Sequence, residues 1–85
     1  MGEHHFTTVA FPLLAAVGTH CSSSADGERV HRMIEALLNR GYSVTMDFQG
    51  VKIVSKEFYD AAVGDLDVLF PEDRLTSVNL PLESF

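Results

Sequence analysis

The stretch VTMDFQGVKIVSKEF, residues 44–58, decides how this chain folds. Its first half alternates in the manner of a strand and stops at Asp47; the Gln49-Gly50 pair then reads as a turn. Val51, Ile53 and Val54 suit a buried extended run that stops at Ser55. Counting 100° per residue from Phe58 places Phe58, Tyr59, Ala62, Val63, Leu66, Leu69 and Phe70 on one face of a helix, with Glu57, Asp60, Gly64 and Asp67 opposite. Pro71 ends that helix. Ser55 therefore stands where a strand becomes a helix, and the question is whether its hydroxyl carries chemistry or caps amides.

Working outward, FTTVAF at residues 6–11 is rich in β-branched and aromatic types and predicts a strand that Pro12 ends or marks as an edge. LLAAVG predicts a second short strand, and GTHCSSSADGE a loop. From Asp26, Val30, Met33, Ile34, Leu37 and Leu38 recur on one helical stripe, with Arg32, Glu35 and Asn39 opposite. Ser24 or Asp26 can cap this helix, Glu28 and Arg40 complement its dipole, and Gly41 permits the left-handed residue that closes it. LTSVNL, residues 75–80, supplies a last strand before the tail PLESF. The order strands, helix, strand, helix, strand predicts one α/β domain over residues 1–85, a mixed sheet with two helices packed on it.

Of the 85 residues, 46% are hydrophobic, enough for one small core. Twelve acidic side chains against six basic ones give a net charge of −6, which repels phosphate backbones and predicts no nucleic-acid partner. The acids are densest from Glu57 to Asp73, a half that could meet a basic protein surface or simply keep the protein soluble. Apolar runs are too short for a membrane span, and Glu3 and Pro12 speak against a secretory leader, so a cytoplasmic protein is expected. Cys21 stands alone and fits a reducing compartment.

Few residues stand at spacings that announce chemistry. Asp47 reads as a turn residue that bonds amides near Gly50, ahead of a catalytic acid. Nucleophile elbows, phosphate loops and metal pairs are missing, so no catalytic residue, metal or cofactor is expected. A zinc site would need His4 and His5 to meet His20 and Cys21. His31 reads as a boundary side chain of the first helix. Gly64 lies inside the predicted second helix, where glycine costs roughly 1 kcal/mol against alanine, so either a partner or the chain itself approaches it closely. Glu57, Asp60, Ala61, Gly64 and Val68 form an outward face of small residues rimmed by acids.

The run SADGERVHRMIEALLNRGYSVTMDFQGVKIVSKEFYDAAVGDL resembles the STAS-like domain family, a relative of unassigned function of the sulfate transporter and anti-sigma-factor antagonist domains. The likeness rests on Gly27 and Glu28, Gly41, the Asp47-Phe48-Gln49-Gly50-Val51 segment, Ser55 with Phe58, and Asp60, Gly64 and Leu66. About half the chain is covered. The resemblance implies a STAS-type sheet with helices and a role in protein–protein regulation. The chain departs from many members in its first loop, where Thr19, His20 and Cys21 replace a basic residue. Anti-sigma antagonists carry an Asp-Ser pair at a helix start, and that serine is the switch. Ser55 falls on the aspartate and Lys56 on the serine, so the switch residue is missing. Ser55 remains a candidate phosphosite by a shift of one position, but a cap is the simpler role.

These observations support a non-enzymatic interaction module of regulatory type. It would bind a protein partner, such as a histidine-kinase-like ATPase or another regulator, through Ser55, Lys56, Glu57, Asp60, Gly64 and Asp67. The alternative is a small acidic inhibitor, of phage anti-defence or nucleic-acid-mimic type, that blocks a basic surface. A short last strand would also leave a sheet edge open to homo-oligomer formation.

Overall fold

The computed structural model describes residues 7–84. Strand β1 (Thr8–Pro12) runs into a single helical turn, α1 (Leu13–Ala16), then β2 (His20–Cys21) and the long helix α2 (Ser24–Asn39). Next come β3 (Ser43–Asp47), β4 (Ile53–Val54), α3 (Lys56–Val63) and a further turn α4 (Leu66–Leu69). A 3₁₀ turn over Glu72–Arg74 leads to β5 (Leu75–Val78) and β6 (Glu83–Ser84). The α/β class is as expected. Instead of one mixed sheet, however, there are two small parallel ones, ordered β1-β3-β5 and β2-β4-β6. Parallel strands need crossovers of a dozen or more residues, and α2 supplies the one between β1 and β3. Pro12 is the last residue of β1, an edge strand, where a missing N–H costs no ladder bond.

Several local expectations are corrected. LLAA forms a helical turn, not a strand; leucine and alanine are strong helix formers and Leu13 fills the core. The GTHCSSSADGE segment is not all loop, since His20 and Cys21 pair with Ile53 and Val54. Helix α2 starts at Ser24, and its cap is Ser23, whose hydroxyl accepts from the Asp26 amide at 3.1 Å. Its buried stripe is Gly27, Val30, Ile34 and Leu38, with Leu37 partly buried, whereas Met33 is 39% exposed. The expected close at Gly41 is present. Gly41 has φ +94°, the Tyr42 amide donates to the Leu37 carbonyl and the Gly41 amide to Leu38, a Schellman arrangement. Ile53 is exposed while Val54 beside it is buried, because alternate residues of a strand face opposite ways. The tail contributes β6, which pairs with β4. Phe6, counted in the first predicted strand, lies outside the described residues.

The predicted second helix is in fact two. Helix α3 ends at Gly64, whose φ of +54° and ψ of −127° leave the helix, and α4 begins after Asp65. Leu69, placed on the core face by a continuous 100° count, is 62% exposed because the break resets the phase. Gly64 is therefore a helix terminator and not an interior glycine. A Cβ there would stand 2.8 Å from His31 Cε1, so it is this chain that makes the close approach. Among the described residues, no helix is long and apolar enough to cross a membrane.

Leu13, Ile34, Leu38, Met46, Phe48, Phe58 and Leu66 are fully buried and form the centre of one core. Arg74, which no sequence pattern marks, is also buried. Its Nη2 donates to the Leu38 carbonyl at 2.7 Å and to Tyr42 at 2.8 Å, and the guanidinium lies 5.4 Å from the centre of the Phe70 ring. This buried cation meets the negative end of α2 together with Arg40, the exposed C-cap residue expected there.

The tightest helix contact is at Gly27. A Cβ there would lie 2.6 Å from the Phe58 carbonyl oxygen and 2.7 Å from Ala61 Cβ. Gly27→Ala should destabilise the protein by about 1–3 kcal/mol in urea unfolding, since overpacking outweighs the roughly 1 kcal/mol that alanine gains over glycine in a helix. Neutral or raised stability would show that the helices separate freely.

Candidate functional site

Ser55 and Asp47 stand at the two ends of the segment that joins β3 to α3. Ser55 is the N-cap of α3, with its Oγ accepting from the Phe58 amide at 3.0 Å. The same hydroxyl donates to the Ser22 carbonyl at 2.9 Å. The Ser55 amide donates to the Cys21 carbonyl, also at 2.9 Å. The residue thus stitches the start of α3 to the segment before α2. Both its proton and its capping lone pair are in use, and a phosphate there would forfeit the donor that holds Ser22.

Lys56 and Asp60 form an exposed ion pair at 2.8 Å one helical turn apart, and their hydrogen bond raises the lysine pKa. Glu57 is exposed in the first turn of α3. Asp67 lies beyond the break, in the first turn of α4. The predicted partner-binding residues therefore do not share one helix. Ala61, assigned to the outward face, instead packs toward Gly27 of α2.

His31 takes the boundary position expected of it. Its Nδ1 lies 3.1 Å from the Ala62 carbonyl, to which it donates, and Nε2 is 4.0 Å from Glu35. Cys21 is fully buried, and burial, aided by the charge of Asp26, pushes its thiol up to about 11. It stays protonated at neutral pH and is a poor nucleophile. His4 and His5, the other half of the zinc idea, lie outside the described residues.

Asp47 ends β3 with both a local and a distant partner. Its Oδ1 accepts from the Gln49 amide at 3.0 Å and from Asn79 Nδ2 at 2.9 Å. The first bond makes the turn; the second ties the end of β3 to the residue after β5. Gly50 completes the turn with φ +84°, and the Val51 amide donates to the Phe48 carbonyl at 2.9 Å. Leu14 lies against Gly50, with Cδ2 2.8 Å from where a Cβ would project. Together Pro12, Leu14, Ala15, Asp47, Gln49 and Gly50 line a shallow, open depression of about 420 Å³. It sits at the carboxyl ends of β1 and β3, the end of a parallel sheet where α/β proteins bind ligands. Sequence reasoning does not find it, because nothing in LLAAVG or SVNL says that Leu14 and Asn79 meet the turn.

The Asn79 bond first, and the Gln49 amide second, hold the Asp47 carboxyl below its usual value of 3.8. A lowered folded-state pKa contributes stability above the unfolded value, and this is lost as pH falls through the folded one. Carboxyl ¹³C titration should therefore place the Asp47 midpoint below 3.8, and Asn79→Ala should move it upward. An unmoved midpoint would remove Asn79 as the principal cause. Ser55→Ala should cost about 0.5–2 kcal/mol in urea unfolding if the hydroxyl caps α3. No measurable cost would leave Ser55 free for chemistry.

The comparisons with known proteins agree with this architecture. Neither a curated protein nor a solved structure matches the chain significantly. The family model described as "STAS-like domain of unknown function (DUF4325)" matches residues 26–84, from the first turn of α2 to β6. That span holds Gly27, the Asp47 turn, the Ser55 cap and Arg74, and on it the chain belongs to the STAS-like domain family of unknown function.

Proposed function

We propose that the chain is a non-catalytic interaction module, acting in the cytoplasm, that binds a regulatory protein through the start of α3 and the exposed side of α4. The partner class is a histidine-kinase-like ATPase or a related regulator. The observation that carries this reading is an exposed apolar pair on α4: Val68 is 81% exposed and Leu69 62%. Asp65 and Asp67 precede them in the chain, and Glu57 and Asp60 lie on the preceding helix. Burial of two such side chains gives an interface its apolar centre, and the acids supply a polar rim that selects a basic counterpart. Ser55 contributes by holding α3 in place. The net charge of −6 favours a second reading, the acidic inhibitor of a basic groove, and the two differ in their response to salt.

Affinity capture of the tagged protein from its own cells, at low and at moderate salt, tests both. The module should recover a signalling ATPase or regulator at both salt levels. Val68→Arg should abolish that recovery while changing stability by no more than about 0.5 kcal/mol, as for an ordinary surface substitution. A nucleic-acid-handling complex that is lost as salt rises would support the inhibitor instead. Capture indifferent to Val68→Arg would remove this face from the interface.

A further inference from the structure

We infer that the depression at the carboxyl ends of β1 and β3 receives a lysine or arginine side chain of a protein partner, with Asp47 Oδ2 binding its charged head and Pro12, Leu14 and Ala15 bedding its aliphatic stem. The inference rests on the reading of the chain as an interaction module and adds the chemistry of a second contact.

The argument starts from the carboxylate. Both of its hydrogen bonds, from the Gln49 amide at 3.0 Å and Asn79 Nδ2 at 2.9 Å, end on Oδ1. Among the described residues, Oδ2 meets no donor. Two donors from different parts of the chain fix the plane of the group, so Oδ2 is held in one direction before any ligand arrives, and binding does not have to order it. An ionised carboxylate accepts and cannot donate, and its strongest partner is a cationic N–H.

The walls select what carries that cation. Leu14 is 42% exposed and lies on Gly50, where a side chain would collide with it at 2.8 Å. Gly50 thus keeps an apolar shelf open beside the carboxylate. Lysine and arginine each join a charged head to a methylene stem that packs on such shelves. The net charge of −6 draws basic protein surfaces toward the site and turns phosphate polymers away.

The test titrates the ¹⁵N-labelled full chain with N-acetyl-lysine methylamide and N-acetyl-arginine methylamide, followed by amide chemical shifts. Saturable shifts are expected at Ala15, Gln49 and Gly50. N-acetyl-norleucine methylamide, which keeps the stem and lacks the charge, should bind the wild-type protein at least about tenfold more weakly, the scale of one charge-assisted hydrogen bond. Asp47→Asn should weaken the lysine probe to the same extent, and Glu28→Gln at the exposed start of α2 should leave it unchanged. The inference is overturned by any of three results: no saturable shift at these amides, equal affinity for norleucine, or equal losses from Asp47→Asn and Glu28→Gln, which would mark diffuse attraction. The norleucine comparison uses wild-type protein only, so it decides the matter even if Asp47→Asn unfolds. Because no natural partner enters this titration, its failure is distinct from failure of the capture experiment.

Discussion

The close approach of α2 and α3 at Gly27 is the constraint on which most of this structure depends. With only hydrogen at that position, the Phe58 carbonyl and Ala61 Cβ come within distances that no side chain could share. Three further contacts need that separation. At one end Ser55 reaches the Ser22 carbonyl just before α2. At the other His31 of α2 reaches the Ala62 carbonyl in the last turn of α3. Beside it, the His31 ring occupies the space that a side chain on residue 64 would need, so Gly64 is required both for its backbone angle and for its neighbour. Two glycines, a serine and a histidine form one joint between the helices.

A second joint closes the far end of α2. The last carbonyls of a helix have no partners within it, and here one buried guanidinium satisfies Leu38 while also holding Tyr42 in the turn toward β3. Arg74 immediately precedes β5, which pairs with β3 from Val44↔Leu75 onward. The same side chain therefore ends a helix and positions an edge strand. Burying a cation is costly unless it is fully hydrogen-bonded, and the negative end of the α2 dipole lowers that cost.

What can be read from the sequence follows from the range of the forces involved. The body of α2, its closure at Gly41, β3 and the start of α3 rest on periodicity and on local turn and cap chemistry, which a window of a few residues contains. The strands β2 and β6 are invisible there because two residues leave no periodic trace, and only pairing with β4 makes them extended. LLAA takes the helical form against expectation because a short apolar run does not by itself distinguish strand from helix. Gly64 is the most instructive difference. Its composition marks it as unusual, but a helical count carried across it places Leu69 inside, whereas a positive φ at one residue sends it outside. Arg74 and Asn79 act through contacts more than thirty residues distant, and no local pattern marks them.

The two polar residues at the ends of the β3–α3 segment show how spare bonding capacity separates scaffold from site. Ser55 is the conspicuous candidate in the sequence, because a hydroxyl at a helix start resembles a nucleophile or a switch. Yet its proton is given to Ser22, and its oxygen receives Phe58. To react, it would have to release both, loosening the joint at Gly27. Asp47 reads as a mere turn residue, and half of it is one: Oδ1 carries the turn and the tie to Asn79. The other oxygen is oriented by those same bonds without being consumed by them. A side chain whose structural work uses one atom and aims another is where a small fold can bind something at little cost to its stability. In this chain that description fits Asp47 and not Ser55.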